Sequence, residues 1–314
     1  MPQEPEGIAE ALMNKLSAEF QQAFADRNIY DESVLGRIDS EAKLHAETRS
    51  NPLSSAASCL NVLGSLAVDK EDLKGFLNAL GLGVTTVYEF PSGVDVGGQV
   101  YNDRGCVVFE WVGPKASPIN EKGGGRGLNR TSVDAFTIAE IDSVVTQLLI
   151  EWKFTEGKSR PIALNKFGGL RGVERLRRYA SVLAEMRGKG FPFAFSEEGG
   201  IGLQDFSADH FYQLLRMTLL ARKTTPMRIG DLEVEDYRVV HLSHSENDKI
   251  NIVQPEYAKY CPGIQGMVGK GYHEAWKSIL TPEEQKKFVA THWDSGIKSI
   301  KNKDLREYLL ERYG

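Results

Sequence analysis

The segment that most restricts the fold runs from residue 131 to residue 154. It holds Thr131-Ser132-Val133-Asp134-Ala135-Phe136-Thr137-Ile138, a polar middle Glu140-Ile141-Asp142-Ser143, and Gln147-Leu148-Leu149-Ile150-Glu151-Trp152-Lys153-Phe154. Two short apolar stretches around a polar middle read as a β-hairpin. With the turn centred near Asp142-Ser143, Asp134 faces Glu151 across the pair. Side chains alternate along a strand, so Glu151 and Lys153 share one face while Ile150, Trp152 and Phe154 take the other. Two carboxylates and an ammonium then meet in front of an apolar layer.

That convergence suits a hard divalent cation. Magnesium prefers carboxylate oxygens, keeps several waters and takes further ligands from phosphate. Asp134 and Glu151 supply carboxylates, and the backbone carbonyl of Trp152 could supply a third protein oxygen. Lys153 is placed to hold a water or to offset charge developing on phosphorus. Glu-x-Lys alone is uninformative, because Glu41-Ala42-Lys43, Glu156-Gly157-Lys158 and Glu284-Gln285-Lys286 repeat it. Only the copy at Glu151 ends an apolar β-like run with an aspartate across a hairpin. The alternative is a solvated outer face, since strands often carry polar residues on one side.

At these residues the chain resembles the PD-(D/E)XK nuclease superfamily, and within it a group of bacterial proteins assigned as restriction endonucleases that carry T-S-x-D-A and I-E-W-K-Y-T-E. Phe109-Glu110-Trp111, the glycine-rich Gly123 to Arg130, and Asn51-Pro52-Leu53-Ser54-Ser55 with Leu60 to Gly64 extend the likeness over roughly residues 50 to 160. The resemblance implies that Asp134 and Glu151 bind Mg2+ (Mn2+ as a substitute), and that Lys153 is the catalytic lysine. It also implies cleavage leaving a 5′-phosphate and a 3′-hydroxyl. Val133 stands where the superfamily has proline. Ala56 and Ala57 follow Ser55 where a glutamine would be expected.

Charge distribution bears on the partner. The net charge is −5, and residues 1–50 account for it with ten acidic and five basic side chains. Residues 151–190 hold ten basic side chains against four acidic, a local excess that a DNA backbone would need. The competing reading of that stretch is a solvated helix face, with Leu176, Tyr179, Ala180 and Leu183 at helical spacing. Arg126 and Arg130 in the glycine-rich loop, and Lys158, are candidate phosphate contacts. Glu110 is a candidate extra metal ligand. His241 and His244 lack neighbouring cysteines and carry little weight as a metal site.

Composition is ordinary for a globular chain, with 41% hydrophobic and 26% charged residues. No apolar run approaches the ~20 residues of a membrane span, and the acidic start is unlike a signal peptide. Three scattered cysteines suggest reduced thiols and a cytoplasmic location. Helices are expected over residues 7–48 (two), Ser54 to Leu66, Glu71 to Leu80, Gly172 to Met186, Ala208 to Ala221, Tyr272 to Leu280, Pro282 to Ala290 and Lys303 to Tyr313. Strands are expected at Val84 to Phe90, Cys106 to Val112, the hairpin, Phe191 to Phe195 and Tyr237 to Leu242.

The expected fold is α/β: a restriction-endonuclease-like mixed sheet flanked by helices, with an acidic helical N-terminal region (1–50), a nuclease core (51–245) and a helical C-terminal extension (246–314). The expected function is a metal-dependent endonuclease acting on DNA, double-stranded, in restriction or phage defence, with a possible homodimer to cut both strands. The competing class is a non-catalytic nucleic-acid-binding or protein-interaction module on the same fold.

Overall fold

The computed structural model describes residues 12, 14–25, 27–35, 46–90, 93–96, 100–101, 105–122, 130–159, 161–187, 190–195 and 200–314. Its centre is a six-stranded mixed sheet. We number the strands β1 (Val84–Tyr88), β2 (Val108–Trp111), β3 (Val133–Ile141), β4 (Val144–Trp152), β5 (Asp236–Ser243) and β6 (Phe288–His292). The hairpin β3–β4 forms the middle of the sheet, its turn at Asp142 and Ser143, both with positive φ. Left-handed backbone at both central residues gives the twist that a two-residue hairpin needs. β1 and β2 share the free edge of β3, pairing antiparallel with residues 138–141 and 133–136. On the other side β5 pairs parallel with β4, and β6 parallel with β5.

β6 corrects the expected helix over Pro282 to Ala290. Helix occupies only Pro282–Gln285, and Phe288-Val289-Ala290-Thr291-His292 pairs with Val239 to Ser243. Thr281-Pro282-Glu283-Glu284 is a good helix start, but the free edge of β5 captures the residues that follow it. Phe191 to Phe195 forms no strand; Phe193 makes a single bridge to Leu280.

Among the described residues the α-helices of five residues or more are α1 (Ala18–Ala25), α2 (Ser55–Cys59), α3 (Lys70–Ala79), α4 (Gly169–Met186), α5 (Asp209–Lys223), α6 (Tyr272–Ile279) and α7 (Lys303–Tyr313). Ser54 caps α2 by accepting the Ala57 N–H, and the helix runs on as a π-helical turn over Leu60–Gly64. Of the two helices expected over residues 7–48, the described part contains α1 and a helical stretch at 32–35; residues 7–11, 13, 26 and 36–45 lie outside the described residues.

Each face of the sheet has its own core. Phe136, Leu149 and Val239 face one cluster with Tyr179 of α4, Leu215 of α5 and Trp276 of α6. Ile150, Trp152, Phe154 and Leu242 face the other, with Leu63, Phe76, Trp293 and Leu309. Full burial of side chains of this size contributes about 1.5–3 kcal/mol each. The second cluster runs from Leu12 to Tyr313. The terminal segments are tied directly as well: Tyr308 Oη donates to Arg27 O at 2.8 Å, and the Arg312 guanidinium donates to Asn28 Oδ1. Among the described residues no helix is long and apolar enough to cross a membrane.

Candidate active site

Neighbouring strands set three carboxylates in a row. Between Phe109↔Ala135 and Trp111↔Val133 the β2–β3 register places Glu110 opposite Asp134. One step beyond Ala135↔Ile150 the β3–β4 register places Asp134 opposite Glu151. Across the next pair Glu151 stands beside His241. Asp134 and Glu151 lie on the α4–α5 face, because Ile150 and Trp152 occupy the other.

Glu110 has φ of 54°, a backbone region that side-chain-bearing residues rarely enter. The kink breaks the strand's alternation: Val108 and Trp111 both join the α4–α5 core, while Phe109 turns to the opposite one. Ser132 Oγ donates to Glu110 Oε2 at 2.6 Å and holds that carboxylate on the Asp134 side. One residue back, Thr131 is pinned through its N–H and hydroxyl to the buried Glu121, at 2.6 and 2.8 Å.

Asp134 Oδ2 accepts the backbone N–H of Trp152 at 2.7 Å. The Trp152 indole lies on the far face, donating to Ser58 Oγ at 2.9 Å and stacked on Trp293 at 4.7 Å. Trp152 therefore meets the site through its backbone. N–H and C=O of one strand residue point to the same side, so the strand geometry leaves the Trp152 carbonyl a candidate third oxygen donor. Lys153 Nζ donates to Glu151 Oε1 at 2.5 Å, with both side chains about 95% buried (5 and 6% exposed).

A cleft of about 420 Å3 opens here, lined by Glu110, Asp134, Lys153 and Glu156, and walled by residues 48–56 and Gln213 of α5. Burial and the neighbouring Asp134 push the Glu151 carboxyl up to about 8, against the pull of Lys153. Burial alone would depress the Lys153 ammonium, but Glu151, Glu156 and Asp134 outweigh it and raise it above its ordinary range, so Lys153 stays charged. Burial likewise opposes ionisation of Glu156. Lys153 and hydrogen bonds from Ser55 and the Phe154 N–H prevail, and hold it below the usual carboxylate value.

Among the described residues no three Asp, Glu, His or Cys side chains are already gathered as a metal shell, because the Glu151 carboxylate is turned to Lys153. The donor set nonetheless fits a hard cation. Glu110, Asp134 and Glu151 are oxygen donors in one row, all three within electrostatic reach of the Cys59 thiol, whose deprotonation burial and these charges oppose. The Glu151 carboxyl, raised to about 8 by burial and Asp134 even with Lys153 bonded to it, is an acid whose ionisation further positive charge would favour.

Of the candidate phosphate contacts, Arg126 lies outside the described residues. The Arg130 guanidinium grips backbone carbonyls of Val112, Gly113, Pro114 and Lys115. Lys158 pairs with Asp248 at 2.8 Å, with 9% of its side chain exposed. Neither cation stands in the cleft lining. His244 is structural: Nε2 donates to Tyr313 O at 3.0 Å while Nδ1 accepts the Glu246 N–H. His241 Nδ1 lies 3.0 Å from His273 Nε2, and burial holds it well below its ordinary value, hence neutral.

Sequence reasoning missed Glu156 and the Asn51–Ala56 wall. The signal for Glu156 was present three residues after Lys153, in the same motif; the wall depends on a long-range approach that no local pattern carries.

A family model described as restriction endonuclease associating with ARP matches residues 15–314. The chain belongs to this family. The match extends well past the stretch around the hairpin on both sides and takes in the terminal segments packed under the sheet. No curated protein and no solved structure matches the chain.

Proposed function

We propose that this member of the restriction-endonuclease-like family is a metal-dependent endonuclease that hydrolyses phosphodiester bonds of double-stranded DNA, in restriction or phage defence within the cytoplasm. The observation that carries the reading is the row Glu110–Asp134–Glu151 with Lys153 beside it at the floor of an open cleft. Asp134 and Glu151, with Glu110 and the Trp152 carbonyl as further donors, would hold Mg2+. When bound, the ion would supply Lewis acidity and a more acidic water.

The chain's own groups account for the remaining steps. Lys153 stays protonated and offers its ammonium to the attacking water and to a non-bridging phosphate oxygen as charge builds there. The water oxygen forms the new bond to phosphorus and the P–O3′ bond breaks. A proton passes to the departing oxygen, leaving a 3′-hydroxyl and a 5′-phosphate. The buried Trp152–Trp293 stack and the Ser132 hydrogen bond to Glu110 keep these groups from reorganising during the step.

The duplex would lie along α4. Lys166 at the foot of that helix pairs with Asp209 of α5 at 3.0 Å, one turn before Gln213 in the cleft wall. Arg171 and Arg177 point outward with Leu170, which is 91% exposed, and Arg178 is half-buried. A homodimer would supply the second site for the second strand. Association with ARP, the other half of the family description, belongs to the same proposal.

The test is incubation with plasmid, linear duplex and single-stranded DNA in Mg2+, Mn2+, Ca2+ or EDTA, beside Glu151→Ala. Metal-dependent cleavage lost in the variant supports the reading. Tight DNA binding with no cleavage in any metal sinks it in favour of a non-catalytic module.

A further inference from the structure

Three carboxylates act on Lys153, those of Glu151, Glu156 and Asp134, and the first two are held very differently. Glu151 is bonded to it directly at 2.5 Å, yet it is also the residue that the nuclease reading assigns to a cation. Glu156 is fixed from outside: Ser55 Oγ donates to Oε1 at 2.5 Å and the Phe154 N–H to Oε2 at 2.8 Å. The loop that carries it is clamped in turn. Asn247 Nδ2 donates to Phe154 O at 2.7 Å and to Glu156 O at 3.0 Å, and Thr155 Oγ1 donates to Leu53 O at 2.7 Å. Glu156 is 6% exposed and shares the cleft lining with Lys153, whereas Glu151 lies beneath it.

If Glu151 turns to a cation, Lys153 loses its bonded partner inside a buried site. An ammonium without one would be expelled, deprotonated or drawn toward the metal ligands, and none of these leaves it aimed at phosphate. We propose that Glu156 is the positioning residue of this site: an immobile carboxylate, braced by Ser55 of α2, that receives the Lys153 ammonium when Glu151 is given to a cation. Lys153 then stays at the cleft, held by a carboxylate that cannot move. This rests on the nuclease reading and adds a residue and an exchange of partners to it.

The experiment pairs kinetics with a structure. Glu156→Gln keeps the shape and one acceptor, the amide oxygen that can take the Phe154 N–H, while its NH2 can donate to Ser55 Oγ and the charge is removed. The expected result is kcat lowered about 10–100-fold, with KM within about twofold and Tm within about 3 °C of wild type. Glu156→Asp should recover part of the loss. Unchanged kcat in Glu156→Gln overturns the proposal, as does a loss that appears wholly in KM or tracks a fall in Tm. The crystal structure of the wild type with Mn2+ reads the exchange without activity. Mn2+ on Asp134 and Glu151 with Lys153 Nζ against Glu156 supports it even if no DNA is cut. Mn2+ bound with Nζ still on Glu151 overturns it while leaving the nuclease reading intact. No ion at the site overturns both.

Discussion

Two hollows in this molecule are rich in carboxylates, and they do opposite things with them. One is a groove of about 680 Å3 between the N-terminal segment and α7, lined by Glu32, Asp304, Glu307 and Glu311 with Arg27, Tyr30 and Tyr308. Its charges stand in water. Arg27 and Glu311 approach to 3.8 Å with 60% of each side chain exposed, a geometry typically worth less than 1 kcal/mol. The other is the smaller cleft at the end of the hairpin, where Glu151 and Lys153 are almost wholly buried. There, desolvation makes each charge depend on its neighbours, and the Glu151 carboxyl is pushed up to about 8. Size of hollow would favour the groove; burial and mutual placement favour the cleft.

The comparison breaks most readily at Lys153. Lys153→Met should lower metal-dependent cleavage about 10²–10³-fold, measured as single-turnover kcat on plasmid, with DNA binding in Ca2+ retained. A loss below tenfold would mean that burial in the cleft does not make this ammonium special.

Arg171 and Arg177, exposed on α4, and the half-buried Arg178 should act by number alone. Arg171→Ala with Arg177→Ala and Arg178→Ala should flatten the salt dependence of DNA binding by about 2–3 in the log–log slope, without changing kcat at saturating DNA. An unchanged slope places the duplex elsewhere.

The raised Glu151 carboxyl sharpens the contrast through pH. Its folded value of about 8 lies above the ordinary 4.5, so the folded protein holds this proton more tightly than the unfolded chain. The stability it lends is present below about 4.5 and is lost as pH rises to about 8. Without metal, Glu151→Gln should therefore gain Tm relative to wild type as pH goes from 5 to 9, by several degrees in a calorimetric series. Mg2+ should raise Tm in the wild type and not in the variant. Parallel curves would show that Glu151 is not the strained acid of the site.

The smallest effect belongs to the groove. Asp304→Asn with Glu311→Gln should leave cleavage unchanged and shift stability by less than about 0.5 kcal/mol in urea titration. A larger shift would give the groove a role that exposed charges do not ordinarily earn.

Much of the site was legible locally. The turn at Asp142-Ser143, the facing of Asp134 and Glu151, and the division of Ile150, Trp152 and Phe154 from Glu151 and Lys153 follow from a two-residue period and one hairpin, and the structure has all three. The helix expected from Gly172 to Met186 is α4, starting at Gly169. The misreadings share one cause. Phe288 to His292 carries helix-compatible neighbours, and only the open edge of β5 makes it a strand. What holds two of the candidate phosphate contacts is equally absent from the local pattern: the Val112–Lys115 carbonyls at Arg130 and Asp248 at Lys158.

The sequence by itself determined which side chains can share a face, because alternation along a strand is a property of the backbone. It also determined that an acid, an acid and a lysine would meet at one end of a hairpin. Tertiary structure alone decided that Glu110 joins them through a left-handed kink and that Ser55 braces Glu156 from 101 residues away. It alone decided that Glu151 and Lys153 are almost wholly buried. Burial depends on everything packed around a residue, and a chain read in order contains no term for what arrives from elsewhere.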